Sequence, residues 1–155
     1  MANQTGTFQQ RVFGGKTMRE IKFRGKRVDK DEFVYGDHLT GMGDKRGKHY
    51  ILPLLSVYPS DCHNLDGYEV IPETIGQYTG LKDKNGEEIY EGDIILWHDK
   101  KYVVKFQSGM FYASVKEFNE GVHGGYPLWS LVKYHDEQDC GVVVGNIYEN
   151  KKETK

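Results

Sequence analysis

From Arg19 onward polar and apolar positions alternate. Ile21, Phe23 and Gly25 interleave with Lys22, Arg24 and Lys26, the period of two expected of a β-strand with one buried and one solvated face. The polar turn Asp29-Lys30-Asp31 separates this run from a second one at about 32 to 39, so the two predict a hairpin over 19–39. After a Gly-rich loop comes an apolar run from His49 to Tyr58, in which Pro53 withholds a ladder donor and predicts an edge or a break. Tyr68 to Ile71 predicts a short strand, and Pro72-Glu73-Thr74 a brief helical turn.

The remainder reads as short strands with turns every eight to twelve residues or so, the rhythm of a small sandwich or barrel. Asp83-Lys84-Asn85-Gly86 predicts a tight turn, and Glu91-Gly92-Asp93 a break before a strand from Ile94 to Trp97. Tyr102 to Phe106 and Met110 to Val115 predict a hairpin closed by Gln107-Ser108-Gly109. Gly141 to Tyr148 predicts a Val-rich last strand buried on both faces. The loop from Asn119 to Pro127 carries no readable conformation. The expected fold is mainly β with little helix: a loose leader over 1–17, an N-terminal β region over 18–72 opening with the hairpin, a barrel-like C-terminal region over 73–150 and a tail over 151–155.

Composition sharpens this. The 155 residues hold two Ala against 19 Gly and 20 aromatic residues, which excludes an all-helical protein. An apolar fraction of 37% and a net charge of −2 lie on the folded side of the disorder boundary. No run approaches the ~18 apolar residues of a membrane span, and residues 1 to 17 lack the apolar stretch of a secretory signal, so a cytoplasmic protein without membrane contact is expected. In that compartment Cys62 and Cys140 are expected to be free thiols.

Charge is uneven along the chain. Residues 11 to 30 carry eight cations against two acids, and residues 61 to 99 carry ten acids against two lysines. The basic segment is therefore expected to dock on the acidic one, within a protomer or on another copy in a homo-oligomer. The candidate binding face presents Lys22, Arg24 and Lys26 at every second position, with Arg19 and Arg27 close by. Their spacing, roughly 6.5 to 7 Å, matches the separation of phosphates along a nucleic-acid strand. Phe33 or Tyr35 on the adjacent strand would add a stacking surface. The competing structural reading is a half-buried strand whose Lys and Arg side chains form its solvated face and protect an edge.

Other motifs fail on spacing. Gly15-Lys16-Thr17 lacks the leading Gly of a phosphate loop, since Gln10 stands there. Asp83, Asn85 and Gly86 lack the sixth-position Gly of a calcium loop. Cys62-His63 and His135 with Cys140 have no zinc-ligand spacing, and Ser130, Cys140, His135, Asp136 and Asp139 have no nucleophile setting. The carboxylates from Glu87 to Asp93 read as solvated turn acids, with a magnesium site as the alternative. No catalytic residue, metal or cofactor is expected.

Two blocks are nevertheless distinctive: MREIKFRGKR (18 to 27) with FVYG (33 to 36), and PETIGQYTGLKDKNGEEIYEGDI (72 to 94) with GNIYEN (145 to 150). They resemble the YopX family of phage and prophage proteins over nearly the whole chain from Met18 to Asn150. The resemblance implies a phage or prophage origin and a C-terminal SH3-like barrel, and it brings no catalytic residues. Within these blocks Gly76, Gly80, Gly86 and Gly92 read as turn architecture, and Asp93 as a side chain that bonds backbone amides where a strand begins. The expected function is a non-enzymatic module that binds a host or phage macromolecule, protein or nucleic acid. The alternatives are a self-assembling structural protein and a metal-dependent nuclease or hydrolase using Asp83, Glu88 or Asp93.

Overall fold

The computed structural model describes residues 12–13, 16–17, 19–41, 43–53, 67–115, 125–132 and 140–149. In chain order the strands are β1 (Val12–Phe13), β2 (Lys16–Thr17), β3 (Phe23–Lys26), β4 (Phe33–Thr40), β5 (His49–Pro53), β6 (Tyr68–Val70), β7 (Gly76–Lys82), β8 (Glu88–Tyr90), β9 (Asp93–Trp97), β10 (Lys100–Gln107), β11 (Met110–Val115), β12 (Gly125–Pro127) and β13 (Val142–Asn146). One α-helix, α1 (Leu128–Val132), and 3-10 turns at Gly43–Lys45 and Pro72–Thr74 complete the described residues. The fold is mainly β, as the alternation and the scarcity of Ala predict.

β3 and β4 form the expected hairpin, in register from Phe23 opposite Gly36 to Lys26 opposite Phe33. β5 is described as far as Pro53, which still pairs with Gly36, and it lies between β4 and β6 rather than at the edge that Pro53 predicts. The larger sheet has the order β6-β5-β4-β3-β7-β8. It curls until its edge strand meets the end of β3 again: Arg27 bridges Val70, Val28 N donates to Glu69 O at 3.0 Å, and Ile71 N donates to Lys26 O at 2.9 Å. Ile51, Leu52 and Val70 fill the inside of this curl. β7 pairs with β3 on one side and β8 on the other, so one ladder system runs across the division at 72/73.

The second sheet has the order β12-β11-β10-β9-β13, and among the described residues no ladder joins β12 to β13. Its inner face is covered instead by Ile89 of β8 and by α1, where Leu128 and Leu131 pack with Ile95, Val104 and Ala113. A five-residue helix is too short to show a 3.6 period, so α1 had no sequence signal beyond the preceding Pro127. Two expectations change here. Val144 is 41% exposed because β13 is an edge strand, not one buried on both faces. The β10–β11 turn holds two residues, Ser108 and Gly109 at φ 52° and 81°, because Gln107 pairs with Met110.

The turns are built as their residue types require. One oxygen of Asp83 accepts from Asn85 N (2.8 Å) and Glu87 N (2.9 Å), and the other takes Val143 N (3.1 Å), tying the β7–β8 turn to the edge of β13. Gly86 closes that turn, and Gly80 sits where the β7–β8 register shifts. At Gly76 an added Cβ would stand 2.4 Å from Glu91 O. Gly92, at φ 86°, would bring a Cβ to 3.0 Å from the Tyr148 ring, so both positions exclude larger residues. No helix among the described residues is long and apolar enough to cross a membrane. Cys62, His63, His135, Asp136, Asp139, the loop to residue 124, most of the leader and the tail over 151–155 lie outside the described residues.

The basic strand and a candidate binding cleft

β3 and the residue before it invert the predicted faces. Lys22 and Arg24 are 7% and 5% exposed, whereas Ile21 is 60% exposed. A face of cations is buried only if each charge finds a partner, and both do so on the β8–β9 segment. Lys22 Nζ lies 2.6 Å from Glu88 and 3.2 Å from Glu20, above the Tyr78 ring at 4.8 Å. Burial is the largest influence on this ammonium and pulls its pKa down; Glu88 and Glu20 together outweigh it and hold the group above its ordinary value.

Arg24 goes further inside. Its Nη2 lies 2.6 Å from Asp93 Oδ1 and donates to Glu91 O at 3.2 Å, while the guanidinium lies 5.1 Å from the ring centres of both Phe33 and Tyr90. Its Nε is buried with no acceptor among the described residues. Asp93 is 1% exposed and its second oxygen accepts from Tyr90 N at 2.7 Å, the strand-start bond that its position predicts. Burial raises the Asp93 carboxyl to about 6 against the opposing pull of Arg24, which leaves it ionised at neutral pH. Tyr90 completes the network: its hydroxyl donates to Glu88 at 2.9 Å, and burial followed by that bond pushes its phenol pKa up. Phe33 and Tyr35 therefore do not form a free stacking pair. Phe33 faces Arg24, and Tyr35, 48% exposed, meets Tyr90 edge-on at 5.5 Å.

Lys26 and Arg27 of the predicted face are also paired. Lys26 bonds Asp31. Arg27 grips Asp29 with Nε at 2.7 Å and Nη2 at 2.5 Å, reaches Glu32 at 2.8 Å, and lies 4.1 Å from the Tyr68 ring centre. Arg19 is exposed, 5.6 Å from the Phe111 ring. The attraction between basic and acidic segments is thus satisfied within one chain at Lys22–Glu88 and Arg24–Asp93. The acids considered for a metal are engaged too: Asp83 in its turn, Glu88 with Lys22, Asp93 with Arg24. Among the described residues no three His, Cys, Asp or Glu gather as a metal site.

Lys26 and Arg27 do line a cavity. An open cleft of about 610 Å³ lies between the β3–β4 turn, from Lys26 to Asp31, and Ile71, Glu73, Thr74 and Tyr148. Three of its side chains are cationic (Lys26, Arg27, Lys30) and three anionic (Asp29, Asp31, Glu73). Val28, 58% exposed, and Ile71, 36% exposed, add apolar surface. Thr74 is fixed at the wall, its hydroxyl donating to Ile71 O at 2.7 Å and accepting from Lys26 N at 2.9 Å. Sequence reasoning missed Val28, Ile71, Thr74 and Tyr148 because they are joined only by the curl of the sheet. The one signal was Val28, an apolar residue set in a charged turn.

A family model described as YopX protein matches residues 22–152. Among solved structures, a crystal structure of protein EF1440 from Enterococcus faecalis is similar over 89% of this chain and 100% of its own, with a TM-score of 0.55 and 24% identity, a likeness that bears on the fold alone. No curated protein matches the chain.

Proposed function

The chain belongs to the YopX family, and from that premise we propose that it is a non-enzymatic binding module of phage or prophage origin, acting in the cytoplasm of a bacterial host, whose cleft takes a polypeptide segment of a partner protein. The observation that carries this reading is the charge-balanced lining with Val28 and Ile71 exposed in it. A polyanion binds largely by releasing counterions at uncompensated cations, and a lining whose charges cancel offers little of that. A polypeptide, with polar backbone and scattered apolar side chains, finds donors, acceptors and apolar contact together in such a cleft. The same reading takes β7 to β11, α1 and β13 as an SH3-like unit, supported by their shared core around Ile89, Ile95, Val104 and Leu128.

The test is a photo-crosslinking amino acid at Val28, with Lys105 on β10 as control, in cells of the host. The reading predicts a protein adduct at Val28 that Ile71→Asp abolishes and that Lys105 does not give. Adducts to nucleic acid at Val28, the same adducts from both positions, or no adduct at Val28 contradict it.

A further inference from the structure

The two walls of the cleft differ in charge. Along the β3–β4 turn Lys26, Arg27 and Lys30 stand against Asp29, Asp31 and Glu32, three cations to three acids. Lys26 bonds Asp31, and Arg27 holds both Asp29 and Glu32. Arg27 above all, with a smaller pull from Lys30, keeps the Asp29 carboxyl below its ordinary pKa. That wall cancels itself. Facing it, the stretch from Ile71 to Thr74 carries a single charge, Glu73, which is exposed and has no ion pair or hydrogen bond among the described residues.

The backbone sets the position of this carboxylate. Pro72 starts a 3-10 turn in which Thr74 N donates to Ile71 O (3.0 Å) and Ile75 N to Pro72 O (3.2 Å), and the Thr74 hydroxyl ties the turn to Lys26 N at 2.9 Å. Tyr148 lines the same cleft, its ring 6.4 Å from that of Phe33 and packed against Gly92. Burial chiefly raises the Tyr148 phenol pKa; Glu91 and Glu73 add to this and Arg24 opposes it, so the Glu73 charge is felt at the ring. An exposed carboxylate near a phenol ring and two apolar side chains complements a cation carried on an apolar stem. The cation meets acid and ring, and the methylenes meet Val28 or Ile71. An acidic side chain would meet Glu73 with like sign and find no net charge on the other wall.

We propose that the cleft selects a polypeptide segment in which a lysine or arginine adjoins an apolar residue, with Glu73 as the specificity-determining residue. This rests on the reading of the cleft as a polypeptide site and adds the sign of the charge it takes. The test is selection of random peptides displayed on phage against the purified full chain. Clones that bind the parent and lose binding to Val28→Asp define the cleft. Val28 is 58% exposed and Glu73 is at the surface, and an unchanged melting temperature checks that the variants keep the fold. The expected cleft clones are enriched in Lys or Arg. As synthetic peptides they bind about threefold more weakly to Glu73→Gln and about tenfold more weakly to Glu73→Lys, in which repulsion replaces attraction. A second selection, on Glu73→Lys, is expected to enrich Asp or Glu instead. Cleft clones without an excess of Lys and Arg, or with equal affinity for the parent and Glu73→Lys, overturn the proposal and leave the polypeptide reading standing. The absence of any clone sensitive to Val28→Asp overturns both.

Discussion

β3 with its flanking residues and β10 both carry a series of cations, and they dispose of the charge in opposite ways. Lys22 and Arg24 are 7% and 5% exposed, each paired with a carboxylate and covered by rings, whereas Lys100, Lys101 and Lys105 lie at the surface. The difference comes from what faces each strand. β3 is an interior strand of the larger sheet, and the β8–β9 segment brings Glu88 and Asp93 over one side of it, with Tyr78, Tyr90 and Phe33 excluding water. The lysines of β10 lie outside its buried stretch from Tyr102 to Val104 and stay exposed. A cationic alternation marks a solvent face only when no acid is folded onto it.

The largest expected effect breaks the contrast at its buried end. Arg24→Met leaves the Asp93 carboxyl at 1% exposure without its cation, so that it must bind a proton or remain as a buried charge, and urea unfolding should show a loss of about 3 to 5 kcal/mol. Lys22→Met removes a pair whose acid is 31% exposed, so the loss should be about 1 to 2 kcal/mol. Equal losses in the two variants would mean that burial does not set the hierarchy.

A third variant sharpens the contrast within the same sheet, where a half-buried base faces another base. His38 Nε2 lies 2.9 Å from His49 Nδ1, the rings 4° from parallel and 5.2 Å apart. That separation is the N···N distance plus two ring radii, so the rings meet edge to edge as a hydrogen-bonded pair. Burial first, then His49, holds the His38 pKa below its ordinary 6.5. The unfolded chain therefore binds more protons from about pH 6.5 downward, and stability falls as pH drops through that point. Melting temperatures should fall more between about pH 7.5 and 5 in the parent than in His38→Gln; equal slopes would remove the imidazole from the account. The smallest effect belongs to β10: Lys105→Ala should change stability by less than about 0.5 kcal/mol.

Much of the fold was legible because it rests on local chemistry. The β3–β4 hairpin, the turn at Pro72–Thr74 and the Asp83 turn follow from alternation, a proline at a helical start and side-chain bonds to nearby amides. The helix α1 was not legible, its five residues being too few to repeat the 3.6-residue period that would announce it. The polarity of β3 was misread for a different reason. Arg24 and Asp93 are 69 positions apart in the chain, and no local pattern says which acid a strand will face. The excess of acids over 61 to 99 signals that the basic segment has an acidic partner, within the protomer or on another copy, without saying which residues meet. The cleft was half legible: Lys26 and Arg27 were singled out, but their neighbours Ile71, Thr74 and Tyr148 arrive by tertiary closure.

The central claim is that Arg24, through Asp93, acts as an internal clamp between the two sheets. A double-mutant cycle on Arg24→Met and Asp93→Leu, read by urea unfolding at neutral pH, tests it most directly. The account predicts that the double variant recovers much of what Arg24→Met loses, with a coupling energy of at least about 2 kcal/mol. Losses that simply add, with coupling within about 0.5 kcal/mol of zero, would contradict it.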